Sequence, residues 1–124
     1  MNIIAVGLGG FIGAVLRYLI GLIPVKENMV FPVKTFCINI FGCLLIGLIT
    51  VLASRNPEIN PKWILFLKVG ICGGFTTFST FALETTDLIK GGHIGIAFLY
   101  AVLSAVIGIA VIFGIDMVAG KIYE

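Results

Sequence analysis

The sequence predicts an all-α integral membrane protein with four transmembrane helices. Hydrophobic residues make up 60% of the 124 residues and charged residues only 11%, with a mean hydropathy of +1.19. A water-soluble domain of this length needs far more polar surface. Four apolar runs are each long enough to cross a bilayer, which takes about 20 helical residues. Only short polar connectors separate these runs, so we expect a single transmembrane domain over residues 1–124.

The first two predicted spans each contain a polar residue that lipid disfavours. The first span covers roughly residues 3–23 and carries Arg17. Because no basic segment precedes its apolar run, we expect a retained helix and not a cleaved signal peptide. The second covers roughly residues 35–53 and carries Asn39. The structural alternatives to function are snorkelling of Arg17 to the interface and a packing hydrogen bond from Asn39.

The third predicted span, roughly residues 63–89, contains the unusual stretch G-G-F-T-T-F-S-T-F at residues 73–81. Two adjacent glycines are poor helix formers, and Thr76 or Thr77 is a suitable N-cap for a new helix. We therefore predict two half-helices with an extended break near mid-membrane. Backbone exposed at that depth must be satisfied by protein or by a bound ion. Freed carbonyls suit a cation, and the new helix N-terminus suits an anion.

Three phenylalanines, Phe75, Phe78 and Phe81, recur every three residues through this stretch. The spacing predicts a slanted aromatic row on the second half-helix. Aromatic rings are electropositive at their edges, so a row turned edge-on to a narrow path can contact an anion. Simple packing is the alternative. The hydroxyls of Ser79 and Thr80 favour the anion path, because an anion that loses water needs hydrogen-bond donors.

The fourth predicted span, roughly residues 94–118, carries Tyr100 and Ser104 one helical turn apart. Glu84 lies near the end of the third span, where a carboxylate can sit in a water-filled mouth. All three cysteines fall within spans: Cys37, Cys43 and Cys72. Their odd number and apolar setting favour small buried hydrophobes over a disulfide framework or a metal cluster.

Lysine and arginine residues near span ends normally orient a membrane protein. Here the side with the termini has Arg55, Lys62, Lys68 and Lys121, and the opposite side has Arg17, Lys26, Lys34 and Lys90. This balance leaves two interpretations open: one dominant residue fixes a single topology, or the chain inserts both ways and pairs with an inverted copy. The 16 glycines, several in G-x-x-x-G pairs, favour an oligomer.

Other function classes lack their signatures in this sequence. No carboxylate pair, nucleophile with a base, P-loop or metal-ligand spacing is present, which argues against an enzyme. The net charge of +2 is spread over both faces, so a nucleic-acid partner is not expected.

Three segments together resemble the signature of the Fluc (CrcB-like) family of fluoride channels, and the resemblance covers essentially the whole chain. They are G-x-C-G-G-F-T-T-F-S-T-F at residues 70–81, G-G-F-I-G-A-V-L-R-Y at 9–18 and F-C-I-N-I-F-G-C-L-L-I-G at 36–47. The resemblance implies a fluoride-selective channel of the bacterial inner membrane that lets fluoride leave the cytoplasm passively. It also implies an antiparallel, dual-topology homodimer with two pores that both copies line.

The resemblance further implies roles for individual residues. Those that match or resemble the lining of the fluoride pore are Asn39, Phe78, Phe81, Ser79, Thr80, Tyr100 and Ser104. Gly73 and Thr76 match positions whose backbone carbonyls, contributed by both copies, hold a structural Na⁺. Arg17 matches an arginine of the family's first helix, and Arg17 and Glu84 are candidate vestibule residues. The hydroxyl track on the fourth helix is thin, because Gly108 offers no side-chain donor one turn beyond Ser104.

Two other functions fit a chain of four short glycine-rich helices. A small dual-topology multidrug exporter that exchanges protons for cationic drugs needs a membrane-embedded carboxylate in its first helix, and this first helix carries Arg17 and no acid. A non-transporting assembly subunit would use glycines and hydroxyls only to hold helices together. It gives no reason for aromatic residues to coincide with a helix break.

Overall fold

The computed structural model describes residues 1–121, except for the side chain of Lys121, and contains no strand in that range. It has four helical stretches long and apolar enough to span a membrane, as the sequence predicts. In chain order the elements are α1 Asn2–Gly21, α2 Val33–Arg55, α3 Pro61–Ile64, a π-helical segment Leu65–Cys72, α4 Gly73–Phe75, α5 Phe78–Lys90 and α6 Ile94–Lys121. The third span is the composite Pro61–Lys90. Lys121, which the charge count assigns to the side of the termini, has a side chain outside the described part of the structure.

Polar and proline residues extend the helices slightly beyond the apolar runs. The third span starts at Pro61, whose missing N–H costs nothing in the first helical turn. The side chain of Asn60 caps this start by accepting a hydrogen bond of 3.0 Å from the Lys62 amide. At the other connector, α2 begins directly after Pro32. The spans therefore begin and end within a few residues of the predicted positions.

The third span is interrupted halfway along its length, at Thr76 and Thr77. Thr76 has φ −83° and ψ 156°, and Thr77 has φ −150° and ψ 117°, both extended. The two glycines do not break the helix, contrary to the mechanism that the sequence predicts, since Gly73 keeps a helical φ of −65° and ψ of −38°. The helix continues through both glycines and stops only at the two threonines.

The glycines instead allow α1 to pack closely against the first half of the third span. A Cβ atom built on Gly9 would lie 2.9 Å from the Cα of Gly70, and one built on Gly74 would lie 3.0 Å from the Cα of Gly10. Real side chains do not tolerate such contacts with backbone atoms. Small residues at these positions bring the two backbones together, and the van der Waals packing that results favours helix association in lipid.

The second pair of elements is α2 and α6, which run in the same direction. A Cβ on Gly47 would lie 2.9 Å from Ile115 Cδ1, and one on Gly108 would lie 3.2 Å from Cys43 Sγ. The second half of the third span, α5, packs against the start of α6. The contacts form a small apolar cluster of Leu88, Ala97 and Tyr100, flanked by Phe31, Phe36, Phe81 and Ile96.

The chain buries little of its own apolar surface. Among the described residues, the buried hydrophobic ones are Ile38, Cys72, Phe75, Leu88, Ala97 and Tyr100. Many large side chains are exposed along every span, and Cys37 is exposed too, although the sequence predicts burial. An apolar surface of this extent must be covered by lipid or by another protein chain.

Candidate functional site

A groove with a volume of about 470 Å³ lies between α2, the break in the third span and α6. The described residues that line it are Asn39, Gly42, Cys43, Ile46, Lys68, Cys72, Gly73, Thr76, Thr77, Phe78, Phe81, Ala101, Ser104, Ala105 and Ile112. Six residues singled out from the sequence are therefore brought together: Asn39, Gly73, Thr76, Phe78, Phe81 and Ser104. The other five, Arg17, Ser79, Thr80, Glu84 and Tyr100, lie outside its lining.

The side chain of Asn39 binds both polar groups of the Thr77 backbone. Its Nδ2 donates to the Thr77 carbonyl at 3.1 Å, and its Oδ1 accepts from the Thr77 amide at 2.9 Å. These bonds replace the ones that a continuous helix would supply at this position. An amide nitrogen carries two hydrogens, so one N–H of Asn39 remains available to the groove.

The second half-helix begins with a side-chain cap from Thr77. Its Oγ1 accepts from the Thr80 amide at 3.2 Å and lies 3.1 Å from Thr80 Oγ1. This geometry is the usual threonine N-cap, in which the Thr77 hydroxyl also donates to Thr80 Oγ1. Ser79 is exposed, with its Oγ 3.4 Å from Thr77 Oγ1. Both residues thus lie beside the break without lining the groove of the single chain.

Two of the three phenylalanines line the groove together. The rings of Phe78 and Phe81 have centroids 5.7 Å apart, and Phe81 also contacts Tyr100 at 4.9 Å. Phe78 is 79% exposed, so the groove is open on its side. Phe75 lies on the other side of the break from these two rings, so it does not share their helix face. The prediction of a three-ring row is therefore wrong: Phe75 is buried on the first half and contacts Phe41.

The two hydroxyls predicted on the fourth span have different environments. Tyr100 is completely buried and donates to Glu84 Oε2 at 2.8 Å, while Thr35 donates to Glu84 Oε1 at 2.6 Å. Ser104 lines the groove, and its buried Oγ has no hydrogen-bond partner among the described residues. A buried hydroxyl without a partner is costly. Because Ser104 lines the groove, rotation of its unpaired hydroxyl toward the groove would make it a donor for a dehydrated ion.

Arg17 contacts the first half of the third span just before the break. Its Nε donates to the Gly74 carbonyl at 3.2 Å, and the side chain is half-buried. This bond ties α1 to a carbonyl near the helix end, where a positive charge is favourable. Arg17 therefore does not simply snorkel to the interface, and it contacts the backbone of the glycine pair.

Residues near the break leave oxygen atoms suited to a hard cation. The amide of Thr77, which would otherwise bond to the Gly73 carbonyl, bonds to Asn39. Within residues 1–121, no residue of another element donates a hydrogen bond to the carbonyl oxygen of Gly73 or Thr76. Gly73 is also exposed, and a Cβ there would meet nothing within 4 Å. In discontinuous membrane helices, Na⁺ is coordinated by carbonyl oxygens that the unwound backbone leaves unpaired.

Sequence reasoning missed two residues of the site. The sequence marks Thr77 only as a candidate cap, whereas its backbone is the group that Asn39 holds. It marks Lys68 only as a charge on one side of the membrane, but Lys68 lines the groove. Its position inside the third span, flanked by apolar residues, was a signal that could have identified it.

The groove combines apolar walls with few donors, a composition suited to a small anion that sheds part of its water. Phe78 and Phe81 supply ring edges, and Asn39 and Ser104 supply uncommitted donors. No cluster of three or more His, Cys, Asp or Glu residues occurs in the part of the chain that the structure describes.

Comparisons with known proteins identify relatives over nearly the full length. Residues 4–115 match the family model described as "CrcB-like protein, Camphor Resistance (CrcB)". A protein of Ruminiclostridium cellulolyticum is 48% identical over 111 residues, which are 89% of this chain and 82% of that protein. One of Phocaeicola vulgatus is 44% identical over 118 residues, 94% and 97% of the two chains. One of Chlorobaculum tepidum is 42% identical over 118 residues, 95% and 94%. All three are named "Fluoride-specific ion channel FluC".

Replacing Asn39 with Ala should lower the thermal stability of the purified protein in detergent. The change leaves the amide and carbonyl of Thr77 unpaired, and each such group costs about 1–3 kcal/mol when it is buried. Thr50→Ala is the matched control on the same helix, because the Thr50 hydroxyl bonds only to the Ile46 carbonyl one turn earlier. Equal unfolding midpoints for the two variants would show that the third span keeps its break without Asn39.

Proposed function

The chain belongs to the CrcB-like family, and from this membership and the groove we propose that it is a fluoride-selective ion channel. It is a multi-pass membrane protein of the bacterial plasma membrane and a transporter, not an enzyme. Fluoride leaves the cytoplasm through it passively. The observation that carries the proposal is the joining of Asn39, Ser104, Phe78 and Phe81 in one groove, in a chain whose relatives carry the name of fluoride-specific channels.

The direction of transport follows from the acidity of hydrogen fluoride. The neutral acid crosses membranes and ionises in a cytoplasm that is less acidic than the outside, so fluoride accumulates there. A passive pore lets an inside-negative membrane potential drive the anion out. The pore must exclude the larger and more abundant chloride. A narrow path with few donors and aromatic edges replaces part of the hydration shell of fluoride without holding the ion so tightly that it cannot leave.

The exporter alternative is not favoured. Proton-coupled export of a cationic drug requires a carboxylate in the first helix, and α1 contains no acidic residue. The cation of α1, Arg17, is instead hydrogen-bonded to the Gly74 carbonyl. An assembly subunit without transport would not need a buried, unpartnered hydroxyl on Ser104, a residue that lines the groove.

Fluoride efflux from liposomes containing the purified protein tests the proposed function. Loss of fluoride after addition of a potassium ionophore, with no loss of chloride, is the expected result. Phe81→Ile should abolish or strongly reduce this flux, because a branched aliphatic side chain lacks the electropositive ring edge. Phe98→Ile is the control, since Phe98 is 72% exposed on α6 and does not line the groove. Chloride loss equal to fluoride loss, or no flux at all, would refute the channel.

The functional unit is proposed to be an antiparallel homodimer whose subunits have opposite orientations in the membrane. Three observations support it: Phe78 is exposed on the open side of the groove, the chain buries little apolar surface, and basic residues are balanced between its two ends. A second copy placed over the groove would cover Phe78 and complete the wall. The second copy can insert upside down only if the positive-inside rule favours neither orientation, and the balanced basic residues meet this condition.

Cysteine labelling in whole cells checks the two orientations. Single cysteines at Glu27 and Glu58, exposed in connectors at opposite ends of the bundle, are introduced into a variant without the three native cysteines. A membrane-impermeant maleimide should label about half of the copies at each position. Complete labelling at one position and none at the other would establish a single orientation and exclude the antiparallel arrangement.

A structural Na⁺ is proposed between the two copies, bound by the backbone carbonyls of Gly73 and Thr76. The fit rests on oxygens that receive no hydrogen bond from another element and on the open space beside Gly73. Bound there, the ion would offset the repulsion between carbonyl oxygens that face one another across the dimer. Gly73 has no side chain to block such an approach.

Replacing Na⁺ with N-methylglucamine throughout purification should dissociate the dimer and reduce fluoride efflux. A large organic cation cannot be coordinated by closely spaced carbonyl oxygens. Size-exclusion chromatography with light scattering measures the mass, and liposome efflux measures the activity. A dimer that keeps its mass and flux without Na⁺ would exclude a structural role for the ion.

A further inference from the structure

Lys68 is the charged residue among the described residues that line the groove. It belongs to the π-helical segment Leu65–Cys72, within the apolar third span. Its side chain is half-buried. An ionisable group in a membrane span is costly, and its presence is by default a sign of function.

Lys68 lies toward the opposite end of the groove from Asn39 and Phe81. The third span begins where α2 ends, so the two run in opposite directions, and Lys68 is on the side of Ile46 and Ile112. Seven residues of α2 separate Asn39 from Ile46, which corresponds to about 10 Å along the helix. The groove therefore has a donor-lined end and a cationic end. The cationic end faces the connector between α2 and the third span.

Three other cations in or at the ends of the spans are held by hydrogen bonds to backbone carbonyls. Arg17 donates to Gly74, Lys34 Nζ donates to Gly21 at 2.6 Å, and Arg55 donates to Ala119. Lys68 makes no hydrogen bond or ion pair with any residue in the described range 1–121. Its ammonium group is thus unrestrained by other described residues, and unlike those three cations Lys68 lines the groove.

We propose that Lys68 attracts fluoride electrostatically at one mouth of the groove and repels cations from it. The inference rests on the proposed channel function. A lysine ammonium is a compact charge on a flexible stem, so it can raise the local concentration of a small anion without fixing it in one geometry. A charged cleft with low-dielectric walls focuses the field of such a group. At this end of the groove, the charge attracts fluoride as it enters. It is too far from the donor-lined end to hold the ion tightly there.

Fluoride efflux of Lys68→Met, measured in liposomes at low and high ionic strength with an impermeant salt, tests the proposal. Lys68→Met removes the charge at nearly constant length, and Lys68→Arg keeps it. The control is Lys62→Met, which removes a charge from the exposed start of the same span, outside the groove. At low ionic strength Lys68→Met should lower the flux by about threefold to tenfold, whereas Lys68→Arg and Lys62→Met should leave it within about twofold of wild type.

The salt dependence separates an electrostatic role from a structural one. Wild-type flux should fall as salt screens the charge, and Lys68→Met should lose this dependence. If Lys68→Met is not recovered as a folded protein, Lys68→Gln takes its place in the same measurement. A variant with wild-type flux and wild-type salt dependence would show that Lys68 only snorkels to the interface. Absence of fluoride flux in the wild type would instead refute the channel itself.

Discussion

The two hydrogen bonds from Asn39 to the backbone of Thr77 are the constraint on which the rest of the site depends. A transmembrane helix cannot be opened in lipid unless its freed amide and carbonyl groups find partners. Asn39 provides both partners with one side chain. The chain can then remain extended at Thr76 and Thr77 and start a new helix at Phe78. Without the break, Phe78 and Phe81 would continue the phase of Phe75 and face a different part of the bundle.

Asn39 is placed opposite Thr77 by close helix contacts that leave little room for side chains. A Cβ on Gly42, one turn along α2, would collide with the methyl group of Thr76. Gly9, Gly70 and Gly74 bring α1 against the first half of the third span in a similar way. Such contacts align four thin helices, but they leave almost no interior. The groove is therefore bounded on three sides by this chain and open at Phe78, where the second copy of the proposed dimer would supply the fourth wall.

The sequence alone predicts most of this fold and part of the site. Span number and span position follow from hydropathy, and the polarity of Asn39 and of the Thr76–Ser79 hydroxyls marks where function concentrates. Sequence spacing fails where it assumes one continuous helical phase. It places Phe75 in a row with Phe78, although two extended residues rotate the chain between them. It takes Gly73 and Gly74 as breakers, although the helix packs against Gly10 through one of them.

A residue's partners also cannot be read from its own position in the sequence. Tyr100 and Ser104 are one turn apart and look like a continuous hydroxyl track, yet Tyr100 is bonded to Glu84 and Ser104 has no partner in the described chain. The difference depends on which neighbouring helix faces each residue. The position of Lys68 inside an apolar span marks it as unusual, but the sequence does not show that α2 and α6 form a groove beside it.

The distribution of polarity along the groove suits conduction better than tight binding. A pore must bind its ion strongly enough to replace lost hydration and weakly enough to release it. A fixed cation beside Asn39 and Ser104 would hold fluoride where the donors already stabilise it. Lys68 instead precedes Thr77, the residue that Asn39 binds, by nine residues of the same span, on the order of 10 Å along the helix. In the proposed channel, charge thus gathers the anion at one end, and neutral donors with aromatic edges carry it through the narrow part.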